Sequence, residues 1–537
     1  VNRAASPGTP EKSEESLARF PCWASRLAMG VTAVATLLVA WLVAGRRWQI
    51  GIPGEWTWPY YNVETPASLA LALPAILCAA VIIVTSCIVV RRGLRTRAAT
   101  RLSLSILLLA SLGLVLTLGD AGPFGEMEAA PVTANPWTSG YYAEAIHIRD
   151  LNAYVRQYPE RIAALEVNGP LGHISDHPIG PVLFHALVNR LMESSPALTR
   201  HFLPSDPELL AAGRNVAEKA MRAALREPAL AISDPELAGM WAGAFLFRLG
   251  LWLALLPVYL LGKTLHSREV GLLAVAFAAL VPALHLFGPY PDQLFPFFLI
   301  FSLYAWVCAV RRRSPAWSAV SAATLFVGLL WSLSLLAAAA CIGVAGLLLL
   351  WHENVQPGGR LELKAWARLV GAWAGAFLIS ALLVRLLFGY HVVQVWTLCL
   401  SKHAGFATAF PRSRWLWTAF SPVEFALFCG VPLFLMLLLA AGGNAVDWWR
   451  RRRESAPAVA IWTVLIVLAA LDLSGKNLGE VGRLWMMLMP LAALGAACAL
   501  AALDRGRGWL TAVVLVLATI QLVVFRLHLD VFMVSGM

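Results

Sequence analysis

Residues 101–120 read RLSLSILLLASLGLVLTLGD: an arginine, eighteen residues without a charge, then an aspartate. Eighteen helical residues rise about 27 Å, close to the ~30 Å hydrocarbon core of a bilayer. The apolar positions are continuous and show no period-two alternation, which excludes a strand of a membrane barrel. Working outward, similar runs recur near 27–45, 68–90, 238–261, 270–288, 294–310, 316–333, 334–351, 368–389, 421–441, 457–472, 484–503 and 509–528. Together with 102–119 these predict thirteen transmembrane helices in an all-α integral membrane protein.

Composition agrees with that reading. Of 537 residues, 59% are hydrophobic and 14% charged, against roughly 45–50% and about 25% in soluble domains. The mean hydropathy is +0.69. A chain this apolar cannot cover a water-facing surface with polar groups, so a soluble enzyme, a disordered tail and a disulfide scaffold are excluded. The eight cysteines include no CxxC pair. A net charge of +11 invites a nucleic-acid reading until the charges are placed. Arg91, Arg92, Arg95, Arg97, Arg101, Arg311 to Arg313, Arg450 to Arg453, Arg505 and Arg507 all lie in turns on one side. Cytoplasmic loops carry such arginines, which puts the N-terminus on the cytoplasmic side of a multi-pass protein of the cytoplasmic (inner) membrane and leaves no nucleic-acid partner.

Residues 120–237 break the pattern of short connections and fall outside by the same parity. This stretch holds fifteen of the 31 acids against nine Lys or Arg, so its charge is 9 − 15 = −6, and it carries five of the eleven histidines. Helical spacing of Leu151, Tyr154, Val155, Tyr158, Ile162 and Leu165 predicts an amphipathic helix there. Two more are expected after Pro178 and Pro181 and over 207–226. The expected division is a tail at 1–26, N-terminal spans at 27–119, the external loop at 120–237, a helical core at 238–528 and an external tail at 529–537.

Four external features can carry chemistry. Gly119-Asp120, followed by Glu126 and Glu128, places an acid at the lipid–water boundary, as a general base for a hydroxyl or as a solvated helix end. GHISDHPIGP at 172–181 offers His173, Asp176 and His177, which suit a divalent metal or a phosphate, or form a polar turn whose acid caps a helix. PYPDQ at 289–293 sets Asp292 on a rigid corner. GEVGRLW at 479–485, just after Lys476, puts Arg483 at the mouth of a span. There it can grip a lipid phosphate with Glu480 orienting it, or simply anchor the helix. Lys402, Arg412 and Arg414 add positive charge from another external loop. Arg248, Glu424 and Arg385 fall within expected spans, where ionisable groups are functional candidates or pair with one another.

The stretch YYAEAIHIRDLNAYVRQYP at 141–159, then SDHPIGPVLF at 175–184, and the pattern Gly479, Glu480, Arg483, Trp485 resemble bacterial members of the GT-C superfamily. These are polyprenyl-phosphate-sugar-dependent membrane glycosyltransferases. The likeness in architecture covers about 102–528, so two spans stand ahead of it. It implies transfer of a sugar from a polyprenyl-phosphate-linked donor to a hydroxyl on a glycan, lipid or protein acceptor. Asp120 would be the base, with Glu126 or Glu128 in reserve. Asp292 would be a second catalytic acid and, together with Asp120, a ligand of a divalent metal (Mg or Mn). Arg483 would hold the lipid phosphate, and Glu480, Lys476, His177, Asp176, Tyr141 and Arg412 would bind substrate. The competing reading is a multi-span transporter or flippase, which should show repeated halves and broken helices at the bilayer midplane.

Overall fold

The stretch that opens the sequence reading is the helix Arg97–Gly119, begun by Thr96, whose side chain accepts the amide of Ala99. In this computed structural model the described residues are 22–62, 69–355, 363–409, 411–451, 456–504 and 506–532. Among them, nine helices are long and apolar enough to cross a membrane. They are Arg26–Ala44, Leu69–Arg92, Arg97–Gly119, Asp234–Leu265, Pro291–Arg312, Leu333–His352, Leu363–Phe388, Met486–Asp504 and Trp509–His528. A bent pair, Arg414–Cys429 and Val431–Val446, makes ten if it counts as one span; its 113° break falls at Gly430, where φ is +100°.

Thirteen continuous spans are therefore not reached among the described residues. Pro315–Trp331 and Ala458–Ser474 are shorter apolar helices. The segment expected at 270–288 departs furthest: its helix, Arg268–Ala278, has 11 residues, and only a short turn, Ala283–Leu286, follows. Pro282 has no N–H to donate and its ring crowds the carbonyl four residues back, so the helix stops short of it. Residues 270–278 are apolar because they lie in the protein core, each buried from solvent. Hydropathy alone does not separate such a core helix from one that faces lipid.

The broken segment still carries the chain from one end of the bundle to the other. Arg248, on Asp234–Leu265, lies beside Asp120 at the end of Arg97–Gly119. Further along, Thr264 accepts a hydrogen bond from Arg311 at the far end of Pro291–Arg312. The start of that last helix is back beside Gly250, near the Arg248 end. Arg97–Gly119 starts at the opposite end, close after Arg91, whose Nε donates to the Arg507 carbonyl at 2.8 Å.

Residues 120–237 hold the helices Leu151–Ala164, Gly180–Ser194 and Pro207–Leu225, the first and last capped by Asp150 and Asp206. Gly180–Ser194 packs along Asp234–Leu265, and Leu151–Ala164 packs on Val392–Ala409. A small hairpin, Gly51–Ile52 against Trp56–Thr57, joins the first two spans. Burial differs sharply among the spans. It is 83% for the apolar window of Pro291–Arg312 and 89% for Met486–Asp504, but 6% for Leu363–Phe388. The two most enclosed spans begin beside Asp292 and Arg483.

Candidate functional site

Two turns far apart in sequence bring Asp292 and Arg483 together. Asp292 sits in the turn Pro291–Leu294, which rests against Gly250; an ideal Cβ on Gly250 would stand 2.5 Å from the Gln293 carbonyl oxygen. Arg483 belongs to the short helix Val481–Leu484. Gly479 and Glu480, with φ of +83° and +57°, turn the chain into it. Gly482 presses onto the Phe428 ring, with an ideal Cβ only 2.4 Å from Cγ. Here Arg483 Nε lies 3.5 Å from Asp292 Oδ2, and Nη2 lies 3.1 Å from Glu480 Oε2. The guanidinium stacks 5.2 Å from the Tyr290 ring centre. Glu480 also meets Arg412, with Oε1 3.5 Å from Nη2, and so holds two guanidiniums. Arg483 Nε is buried, and beyond its ion pair with Asp292 it makes no hydrogen bond among the described residues.

Asp176 and His177 stand on the same face of the bundle end. His177 Nδ1 lies between two acceptors, Asp176 Oδ1 at 2.6 Å and the His173 carbonyl at 2.8 Å. Nδ1 therefore carries the proton, and in the neutral ring Nε2 presents the lone pair. His403 Nδ1 approaches the other Asp176 oxygen at 3.5 Å. The ring of Tyr141 packs edge-on to His177 at 5.7 Å.

The electrostatics tie these groups into one site. Burial alone would raise the Asp176 carboxyl, but His177 and His403 hold it well below the usual carboxylate range. Burial opposes the His177 cation, yet Asp176 outweighs it, and Asp292 pulls the same way, so His177 is raised. His173 is lowered by burial. Burial likewise opposes the charge on Arg483, and Glu480 and Asp292 more than restore it. Tyr141 is pushed up by burial, with Asp292 and Asp176 adding to the effect, and stays a neutral phenol.

Of the residues singled out in the sequence, Asp292, Arg483, Glu480, Arg412, Asp176, His177 and Tyr141 thus gather at one end of the bundle. Asp120, Glu128 and Lys476 have other partners, and Asp120 lies at this same end, because its neighbour Arg248 packs on Gly288 four residues before Asp292. Asp120 faces Arg248 Nη1 at 4.0 Å with its carboxylate 48% exposed. Glu128 is buried, with one oxygen on Arg526 and the other accepting from the Tyr61 hydroxyl. The Glu126 side chain lies outside the described residues. Lys476 is exposed in a turn where its amide donates to Ser474 Oγ at 3.2 Å. Among the described residues no group of three or more His, Cys, Asp and Glu is arranged to hold a metal ion. The charged partner of Asp292 here is the Arg483 guanidinium.

Sequence reasoning missed Tyr290 as the face under Arg483, although it lies in the quoted PYPDQ turn. It also missed His403, which lies in the loop noted only for its cations. Glu424 was marked only as an ionisable group in a span. Its Oε1 accepts the Gly482 amide at 3.0 Å, one residue before Arg483.

No protein-family model matches the chain, and no curated protein sequence matches it. Among solved structures it is similar to the crystal structure of the Archaeoglobus fulgidus oligosaccharyltransferase in complex with Zn and sulfate. The identity is 15% and the TM-score 0.35, over 75% of this chain and 52% of that one. The chain thus spans about half the length of that protein. A likeness of this size decides neither fold nor site. What its own residues define is an all-α, multi-pass membrane protein with a polar site at one end of the bundle.

Proposed function

We propose that the protein transfers a sugar from a polyprenyl-phosphate donor to an acceptor hydroxyl at the outer face of the cytoplasmic membrane. The observation that carries the reading is the meeting of Asp292 with Arg483 beside Asp176 and His177, at the mouth of the two most enclosed spans. The N-terminus is cytoplasmic in this reading, and residues 120–237 form the extracytoplasmic part. Arg483 and Arg412 bind the donor phosphate. Asp292 takes the proton of the acceptor hydroxyl as its oxygen attacks the anomeric carbon. The bond from that carbon to the phosphate oxygen breaks with inversion, and the guanidiniums meet the charge that builds on the leaving phosphate. The acceptor is a glycan, lipid or protein hydroxyl.

One observation favours the transporter reading, the break at Gly430 between two apolar helices. Yet the first of those helices carries Glu424, whose bond to the Gly482 amide serves the Arg483 turn.

The test is transfer from a labelled polyprenyl-phosphate sugar by folded variants. Asp292→Asn is expected to lose roughly 100-fold or more in rate, the usual scale for a general base. Arg483→Ala is expected to lose a similar amount, the scale for one oxyanion-stabilising group. Full activity in Asp292→Asn together with loss in Asp120→Asn would return the base role to Asp120. Full activity in Arg483→Ala would remove the phosphate site.

A further inference from the structure

The hairpin between the first two spans lies ahead of the part of the chain that resembles the family, yet it is built into the site. At its turn, Glu55 Oε2 accepts from the Ser413 amide and from Trp417 Nε1, both at 2.8 Å. Ser413 directly follows Arg412. The Arg412 guanidinium lies 5.2 Å from the Trp56 ring centre and 5.9 Å from that of Trp417. Two residues on, Trp58 is buried against Phe287 and Phe428, at 5.4 and 5.1 Å between ring centres. Its Nε1 donates to Glu424 Oε1 at 2.9 Å, the same oxygen that takes the Gly482 amide at 3.0 Å. The far side of the hairpin is pinned to the end of the last span, where the Tyr61 amide donates to the His528 carbonyl and the Asp530 amide to that of Pro59.

The geometry points to this hairpin as the positioning element of the anion site: Glu55 and Trp56 hold Arg412, and Trp58, through Glu424 and the Gly482 amide, holds Arg483, so that the two guanidiniums sharing Glu480 are set for one lipid-linked phosphate. The inference rests on the phosphate-binding reading above and adds what the two leading spans contribute to it. Arginine side chains are long and lose rotamer freedom when they bind. Guanidiniums already fixed by an aromatic wall and a bonded backbone lose less, which favours affinity without any new contact to the ligand. Trp56, Trp58 and Glu55 are positioning residues here, acting through Arg412 and Arg483.

The experiment is binding of undecaprenyl phosphate to the full chain in nanodiscs, with undecaprenol as the uncharged control and a melting curve for each variant. Trp56→Leu is expected to raise Kd roughly fivefold, the scale of a partly desolvated cation–π contact. Glu55→Gln is expected to raise it about tenfold, the scale of a lost charge-assisted bond. Trp56→Phe, which keeps an aromatic face, is expected to stay within about twofold of wild type. Undecaprenol binding should not move in any of them. Wild-type affinity in both Trp56→Leu and Glu55→Gln, with Arg483→Ala defective, would overturn the role of the hairpin and leave the phosphate site standing. Equal losses in Trp56→Phe and Trp56→Leu would also overturn it, because the aromatic wall would then not be the cause. Undiminished binding by Arg483→Ala would overturn both the site and the inference.

Discussion

Asp176 carries the interaction whose pH dependence is easiest to work out, because imidazoles approach both its oxygens. His177 is raised from its ordinary 6.5, so its pairing stabilises the fold fully below about pH 6.5 and fades as pH climbs through its folded value. Asp176 is lowered from 3.8, so its share is present above about pH 4 and is lost only as pH falls through its folded value. The pair therefore contributes most between about pH 4 and 6.5. The melting-temperature gap between wild type and His177→Gln is expected to be widest between about pH 4 and 6.5 and to shrink as pH rises beyond that window. A gap that stays flat or widens with pH would show that the pair does not hold this part of the fold. The acids differ in how much of their role their sequence neighbours reveal. Glu128 reads as a loop carboxylate, yet it is buried against Arg526, 398 residues away. Nothing beside Glu128 in the sequence signals that partner. Asp120 ends an apolar run, and a helix-end acid reads alike whether it meets substrate or a neighbouring cation.

At the scale of elements, the two turns GEVGRLW and PYPDQ stand out in sequence because glycines, prolines and charges interrupt apolar runs. Their meeting is not legible there. Asp292 and Arg483 are 483 − 292 = 191 positions apart, and it is tertiary packing that brings them together. The Arg483 turn depends on a backbone that fits under an aromatic ring. Gly482 touches buried Phe428, so Gly482→Ala is expected to cost about 1–3 kcal/mol, the range for overpacking. A lower melting temperature and weaker lipid-phosphate binding should appear together. Unchanged melting and binding would contradict the packed turn. The broken segment at 268–288 shows the limit of hydropathy at this scale. Its residues are as apolar as those of a lipid-facing helix, and Pro282 was the one sign in the sequence that the helix would stop. The amphipathic runs of 120–237 were easier to read, because a 3.6-residue apolar period with an acid just before it marks both the face and the start of a helix.

At the scale of the whole molecule, charge is sorted between the ends of the bundle. The turns that carry Arg91 and Arg507 meet at one end, and the site lies at the other. Arginine turns belong on the cytoplasmic side. In intact cells a membrane-impermeant maleimide is therefore expected to label Lys476→Cys and not Arg95→Cys, and the reverse pattern would invert the topology. Sidedness decides whether the site can reach an outer-leaflet donor, but the central claim is cleavage of that donor. It is tested most directly in sealed proteoliposomes loaded with a polyprenyl-phosphate sugar labelled in the sugar and supplied with soluble acceptor glycans. The account predicts that label leaves the lipid and appears on an acceptor hydroxyl, leaving unlabelled polyprenyl phosphate behind. Label that crosses the bilayer still attached to its lipid, with none transferred, would contradict it.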